Sequence, residues 1–451
     1  MPSLPPVLDL KFEDVDTNEK RSKYTVGIIG CGQKGILYAD AFAQAGFKVI
    51  CTDADQTLVK KLGKGKSPFC DPDSEKRLRT YLNSDQLCTS SELKKAVAQS
   101  DIIVVTINVK INDRKVPDYS ELESICKQSG ASLKQGSLFI YGGIGGLGSI
   151  EGLIKETLEN TSGLKAGQDF GLAYNPLQVA KTQPAKTIVN LQLTVAALEK
   201  TSLESASTIL RTISNNVKQV SDVKTLELAT LFNIAKQDAN TALANEIAVF
   251  CESAGMDYFN VLKLVDANGA NFYPTIVDSE NKNEAYLLIE NAENLNTKLR
   301  LPALSQQINE DMVKHAVNLT QDALRNGGKT LRRARVAVFG VANPQTATEV
   351  FIKSVINKGA KITLYDPLLP KSDVSDSTWM VKRSMNEAVE GTDCIVILSE
   401  HDQFKRLNLR KLRAIMKAPA VLVDLVGLFE PEKVETEGFI YRGLGRGKGR
   451  T

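Results

Sequence analysis

The run VGIIGCGQKGILYADAFAQAGFKVICTD, from Val26 to Asp53, restricts the fold more than any other part of the chain. A short apolar strand leads into Gly30, Gly32 and Gly35, spaced G-x-G-x-x-G, and then into a helical stretch and a second apolar strand. That order is the opening unit of a doubly wound parallel sheet. The first glycine allows a tight turn, the second lets backbone approach a pyrophosphate, and the third packs helix on strand. The helix N-terminus then offers N–H groups and a positive dipole end to phosphates. Gln33 and Lys34 lie in the same loop and join the three glycines as candidate cofactor contacts. Asp53 closes the second strand, where a carboxylate accepts hydrogen bonds from the adenosine ribose and repels a 2′-phosphate. The motif therefore reads as a site for NAD rather than NADP. A sheet of this kind that had lost its cofactor would carry the same signature.

A second run, RVAVFGVANPQTATEVFIKSVINKGAKITLYDP from Arg335 to Pro367, repeats the strand–turn–helix–strand order without the glycines after Gly340. Around the two runs, strand-like segments such as DIIVVTIN, GSLFIYGG, DCIVILS and AVLVDLV are apolar throughout, as buried parallel strands should be. From Leu203 to about Asn326 the strands give way to helical segments, the longest running from roughly Val223 to Ala254. At 451 residues the chain exceeds one ordinary core. The expected class is α/β, with two Rossmann-like doubly wound sheets joined by a central helical block. The boundaries read as a loosely docked tail over 1–22, a first sheet domain over 23–202, a helical block over 203–328 and a second sheet domain over 329–451. The terminal GLGRGKGRT reads as a flexible basic tail.

Composition excludes several classes. The net charge of +3 is the balance of 56 basic and 53 acidic residues, which makes no electrostatic case for nucleic acid or a membrane surface. No apolar run approaches the ~20 residues that span a bilayer. The first 22 residues lack the basic start and apolar core of a secretory signal. Seven scattered cysteines without a C-x-x-C spacing read as reduced thiols of a cytoplasmic protein. With only His315 and His401 present, no multi-histidine metal site is expected.

Several segments resemble the UDP-glucose/GDP-mannose 6-dehydrogenase family. KKLGKGKSPFCDP, SGLKAGQDFGLAYNP, LELATLFNIAKQDANTALANEIAVFCESAGMD with its Asn245–Glu246 pair, CIVILSEHDQFKRLNLRKL and YRGLGRG are all similar to that family's stretches in the same order. The resemblance covers nearly the whole chain after Tyr24. It implies an NAD-dependent oxidation of a nucleoside-diphosphate sugar, whose nucleotide half the second sheet domain holds. It also implies a homodimer formed through the central helix.

In that family a cysteine traps an aldehyde while a lysine and an asparagine on the central helix stabilise the oxyanion. Aligned on Asn245, the lysine falls on Thr230 and the asparagine on Ile234. The cysteine falls on Ser279, Lys282 is retained, and the glutamate after the N-P pair falls on Leu177. No cysteine lies between Cys251 and Cys394. Lys282, Ser279 and Thr230 are thus the candidate catalytic positions, and the expected chemistry is an oxidation limited to two electrons. The competing expectation is a non-catalytic relative that binds ligand or partner. The departures extend to GGIGGLG, Gly142–Gly148, which is either a close-approach site for a ligand or a loop released from constraint. His401 reads as a turn residue, Cys251 as core, and Asn233, Lys236 and Asn240 as a polar dimer or solvent face.

Overall fold

Strands covered on both faces must be apolar at nearly every position, and the runs singled out above form such strands. The computed structural model describes residues 6–70, 72–177, 188–265, 272–276, 283–341, 347–367 and 379–447. The chain divides into two units: Met1–Ile234 with Tyr286–Lys298, and Ala235–Ala285 with Leu299–Thr451.

The first unit is built on an eight-stranded sheet. Its strands are β1 (Thr25–Ile29), β2 (Lys48–Thr52), β3 (Leu87–Ser90), β4 (Ile102–Val105), β7 (Leu138–Tyr141), β8 (Gly171–Tyr174), β9 (Gln192–Ala197) and β10 (Asn216–Val220). A two-residue hairpin, β5 (Lys110–Ile111) with β6 (Pro117–Asp118), stands apart from it. The order across the sheet is β10-β9-β8-β7-β4-β1-β2-β3. Pairing is parallel except where β9 meets β8. The chain turns from β1 to β2 on one side and returns to β4 on the other, so the switch point lies between β1 and β4.

Two parts of this unit depart from the sequence expectation. β10 falls inside the stretch expected to hold only helices. It is an edge strand, with Asn216, Lys218 and Gln219 exposed, so it lacks the apolar continuity by which the other strands were recognised. The N-terminal segment is also not loosely docked. Val7, Leu10 and Val15 are buried in the core that covers the sheet. The Leu8 N–H donates to the Gly136 carbonyl at 3.2 Å, and the Ser205 hydroxyl donates to the Leu8 carbonyl at 2.7 Å. Burial of those apolar side chains outweighs the freedom of a tail.

The second unit carries a six-stranded, wholly parallel sheet. Its strands are β11 (Arg335–Phe339), β12 (Lys361–Tyr365), β13 (Met380–Val381), β14 (Cys394–Ile397), β15 (Val421–Asp424) and β16 (Ile440–Gly443), in the order β13-β12-β11-β14-β15-β16. One face packs on the helix Arg300–Asn326 through Val313, Ala316, Val317 and Leu324. The other face is covered by Phe404, Leu412 and Val434. Part of the expected flexible tail is held in place. The Gly445 N–H donates to Glu252 at 2.8 Å, and Arg446 pairs with Asp257 while stacking on Phe259 at 4.2 Å.

The long helix runs from Val223 to Ala254, as expected, and the division between units falls within it, after Ile234. Among the described residues no helix is long and apolar enough to cross a membrane.

Candidate functional site

The turn after β1 shows three glycines with three different reasons to be there. Gly30 adopts φ +101°, a left-handed conformation, and a Cβ on it would lie 2.6 Å from the Thr106 hydroxyl. Gly35 sits in the first turn of the helix Gln33–Gln44, where a Cβ would lie 1.7 Å from the Gly30 carbonyl oxygen. Both are fixed by the chain's own packing. Gly32 is not. It caps the helix with an ordinary φ of −69°, and a Cβ there would meet nothing within 4 Å. A bare backbone facing open space at a helix N-terminus is the cradle that a pyrophosphate requires, so these residues fit a dinucleotide.

Asp53 braces this loop. One carboxylate oxygen accepts from the Cys31 N–H at 2.6 Å and the other from the Asp55 N–H at 2.8 Å. Two carboxylate oxygens can accept about four hydrogen bonds in all, so capacity remains for a ribose. Gln33, beside Gly32, is half-buried. Lys34 is buried, at 5% exposure, with its ammonium donating to Asn108 Oδ1 at 3.0 Å. The same amide oxygen accepts from the Ile144 N–H at 3.0 Å. The loops after β1, β4 and β7 are thereby tied together at the carboxyl ends of their strands.

The glycine run after β7 is accounted for by packing within the unit. A Cβ on Gly143 would lie 2.1 Å from the Ile107 carbonyl oxygen, one on Gly145 2.8 Å from the Ser149 hydroxyl, and one on Gly146 2.3 Å from the Tyr119 hydroxyl. The run is neither open to a ligand at those positions nor released from constraint. At its end the Glu227 carboxylate, on the long helix, accepts from the Gly148 N–H at 2.7 Å and the Ile150 N–H at 3.0 Å. Burial raises the Glu227 carboxyl above its ordinary range, against the opposing pull of those N–H groups. Leu147 N–H donates to Asn291 at 2.7 Å. Sequence reasoning passed over Glu227, yet a signal was present: a single acidic residue within the apolar run of LELATLFN.

Among the described residues, the positions carried over from the family resemblance are apolar or internally satisfied. Thr230 is buried and its hydroxyl donates to the Leu226 carbonyl at 2.8 Å. Ile234 and Leu177 are each 2% exposed. Ser279 and Lys282 lie outside the described residues. Lys236 is exposed, Cys251 is buried in a small apolar cluster, and the His401 ring accepts from the Gln403 N–H at 3.2 Å as a helix cap.

In the second unit, Gly340 ends β11 at φ +87°, and a Cβ there would lie 2.1 Å from the Ser399 hydroxyl. The buried Asp424 carboxylate accepts from the N–H groups of Val426 at 3.1 Å and Phe429 at 2.8 Å and from the Tyr441 hydroxyl at 3.2 Å. Burial raises its pKa above the ordinary carboxylate range.

The NAD binding domain of the UDP-glucose/GDP-mannose dehydrogenase family matches residues 24–214, and that family's UDP binding domain matches residues 345–431. The chain is 24% identical over 438 residues to a UDP-N-acetyl-D-mannosamine dehydrogenase of Pyrococcus horikoshii, covering 94% of this chain and 99% of that one. It is 22% identical over 450 residues to a UDP-glucose 6-dehydrogenase of Rhizobium meliloti, covering 93% and 99%. The solved structure of the Pyrococcus horikoshii UDP-D-ManNAc dehydrogenase superposes with a TM-score of 0.80 over 94% of this chain and all of that one, at 24% identity. A UDP-glucose dehydrogenase from Pyrobaculum islandicum gives 0.77 over 94% and 98%, at 19% identity. At these identities the structural likeness speaks for the fold.

Proposed function

We propose, since the chain belongs to the UDP-glucose/GDP-mannose dehydrogenase family, that it is an NAD-dependent oxidoreductase acting on a CH–OH group of a nucleotide sugar, and that it stops after a two-electron step. One observation carries the limit: no cysteine lies between Cys251 and Cys394. Without a thiol to trap the aldehyde, the second oxidation lacks its covalent intermediate. A serine at position 279 is a poor replacement, because its alkoxide is inaccessible near neutral pH without a strong adjacent base. The buried apolar side chains of Ile234 and Leu177, and the internally bonded Thr230, support the same limit.

Bound NAD would supply the hydride acceptor. The chain's own contribution begins with the N–H groups at the start of the helix Gln33–Gln44, which would hold the pyrophosphate against bare Gly32. Asp53 would take the adenosine ribose while keeping the loop in register through Cys31. Lys282 is the proposed acceptor of the substrate hydroxyl proton. The match of residues 345–431 to a UDP binding domain supports a nucleoside-diphosphate sugar as substrate.

The reading includes a homodimer formed through the long helix. Phe232 and Phe250 on that helix are 63% and 60% exposed, and Leu228 and Leu243 are also exposed. Such a stripe costs free energy in water unless a second copy covers it. Light scattering that gave a monomer at micromolar concentration would remove this part. The seven free thiols support a cytoplasmic setting.

The test counts reduced cofactor formed per sugar consumed, with UDP-glucose and UDP-N-acetylmannosamine. One equivalent is expected. Two would overturn the limit. None, with the nucleotide sugar still raising the melting temperature, would favour a non-catalytic relative that binds ligand or partner.

A further inference from the structure

Lys34 is the feature that the glycine motif leaves unexplained. A lysine is rarely buried, and withdrawing an ammonium from water is costly, yet this side chain lies 5% exposed with its Nζ 3.0 Å from Asn108 Oδ1. Its position follows from the sheet. Asn108 follows β4 and Ile144 follows β7, and the Lys34 ammonium and the Ile144 N–H both donate to the Asn108 amide oxygen. In the sheet order, β4 and β7 lie on one side of β1, and β2 with Asp53 at its end lies on the other. A dinucleotide lies across the carboxyl ends of the strands at the switch point, with its adenosine ribose on the acidic residue after β2. The Lys34 ammonium is therefore on the opposite, nicotinamide side.

The two redox forms of the cofactor differ in charge at that end. The oxidised nicotinamide ring is a cation and the reduced ring is neutral, while the pyrophosphate is the same in both. A fixed positive charge in a partly desolvated crevice attracts the pyrophosphate of both forms equally and opposes only the oxidised ring. We infer that Lys34, held by Asn108, makes this site discriminate by redox state and bind NADH more tightly than NAD⁺. The inference rests on the proposal that the unit binds NAD.

Titration calorimetry of the full chain with NAD⁺, NADH and ADP-ribose tests it. The wild type is expected to prefer NADH by about tenfold or more, a factor that a modest electrostatic difference supplies. Lys34→Met should bring the NAD⁺ and NADH affinities to within about twofold of each other while ADP-ribose weakens in step with NADH, and Lys34→Arg should keep the two redox forms apart with ADP-ribose little changed. Should Lys34→Met fail to fold, Asn108→Asp carries the test by placing a carboxylate beside the ammonium, which should also erase the preference. An unchanged preference in both variants would overturn the inference and leave the NAD reading standing. Equal weakening of all three ligands, NAD⁺ included, would also overturn it, making Lys34 a phosphate contact only. A wild type that bound none of the three would overturn both.

Discussion

The turns after β1 and β11 start alike at their first glycine and differ in sequence just beyond it. Each begins with a glycine in the left-handed region, Gly30 at +101° and Gly340 at +87°. Each of these glycines faces a hydroxyl from the segment after the neighbouring strand across the switch point, Thr106 in one case and Ser399 in the other. The first glycine of such a turn is therefore a demand of the sheet and says nothing of a ligand. Only the β1 turn adds Gly32, which no atom of the described residues crowds, and Gly35, which lets the helix settle on the Gly30 carbonyl. The difference separates what the fold needs from what the ligand needs.

Substitutions break that comparison in graded ways. The largest effects belong to the glycines pressed against their own unit. Gly35→Ala and Gly340→Ala should each cost about 3 kcal/mol or more in denaturant unfolding, because overpacking or left-handed strain cannot be relieved against nearby atoms. Gly340→Ala should leave NAD affinity within about twofold of the wild type, which calorimetry on any folded fraction would read. Gly32→Ala should invert the pattern. Its stability should change by less than about 0.5 kcal/mol, while NAD affinity falls by about tenfold or more as the methyl enters the cradle. Equal losses of stability from Gly32→Ala and Gly35→Ala would erase the distinction drawn here.

The smallest effect concerns two buried carboxyls, one in each unit, that fasten loops through backbone N–H groups. Glu227 holds Gly148 and Ile150, and Asp424 holds Val426 and Phe429. Burial raises both above their unfolded values, which lie near about 4. The folded state then binds the proton more tightly than the unfolded chain. Stability from each group is complete below about pH 4 and is lost as pH rises through the raised folded value. Relative to wild type, Glu227→Gln and Asp424→Asn should therefore gain as pH rises from below about 4 toward neutrality, by a few degrees in melting temperature. Opposite slopes would show that the N–H donors outweigh burial.

How much of this could be read in the sequence depended on whether a residue's role is local. β1, β4, β7 and β11 were legible because parallel strands covered on both faces must be apolar. The helix Val223–Ala254 was legible because its apolar spacing continues for thirty-two residues. The strand β10 was not, because NVKQV at a sheet edge is polar at three of its five positions and lacks both an apolar run and a period of two. The docking of Val7, Leu10 and Val15 depends on Gly136 and Ser205, far away in the chain. In the candidate site, Gly30, Gly35 and Asp53 follow from spacing. The grip of Asp53 on Cys31 and of Lys34 on Asn108 does not, because each joins loops that meet only in the folded sheet.

The first unit is not continuous in sequence, since Tyr286–Lys298 completes it and Asn291 from that segment holds the Leu147 N–H. On the ribosome this sets a schedule. A chain made from its N-terminus at about 5–20 residues per second has all eight strands of the first sheet available once Val220 has emerged, yet must wait for residues 286–298 to seal it. During that interval the helical part of the second unit, from Ala235 onward, is already being synthesised. The two units are thus interleaved in time as well as in sequence. Stalling translation between residues 235 and 285 should yield a first sheet that resists protease less well than the finished protein.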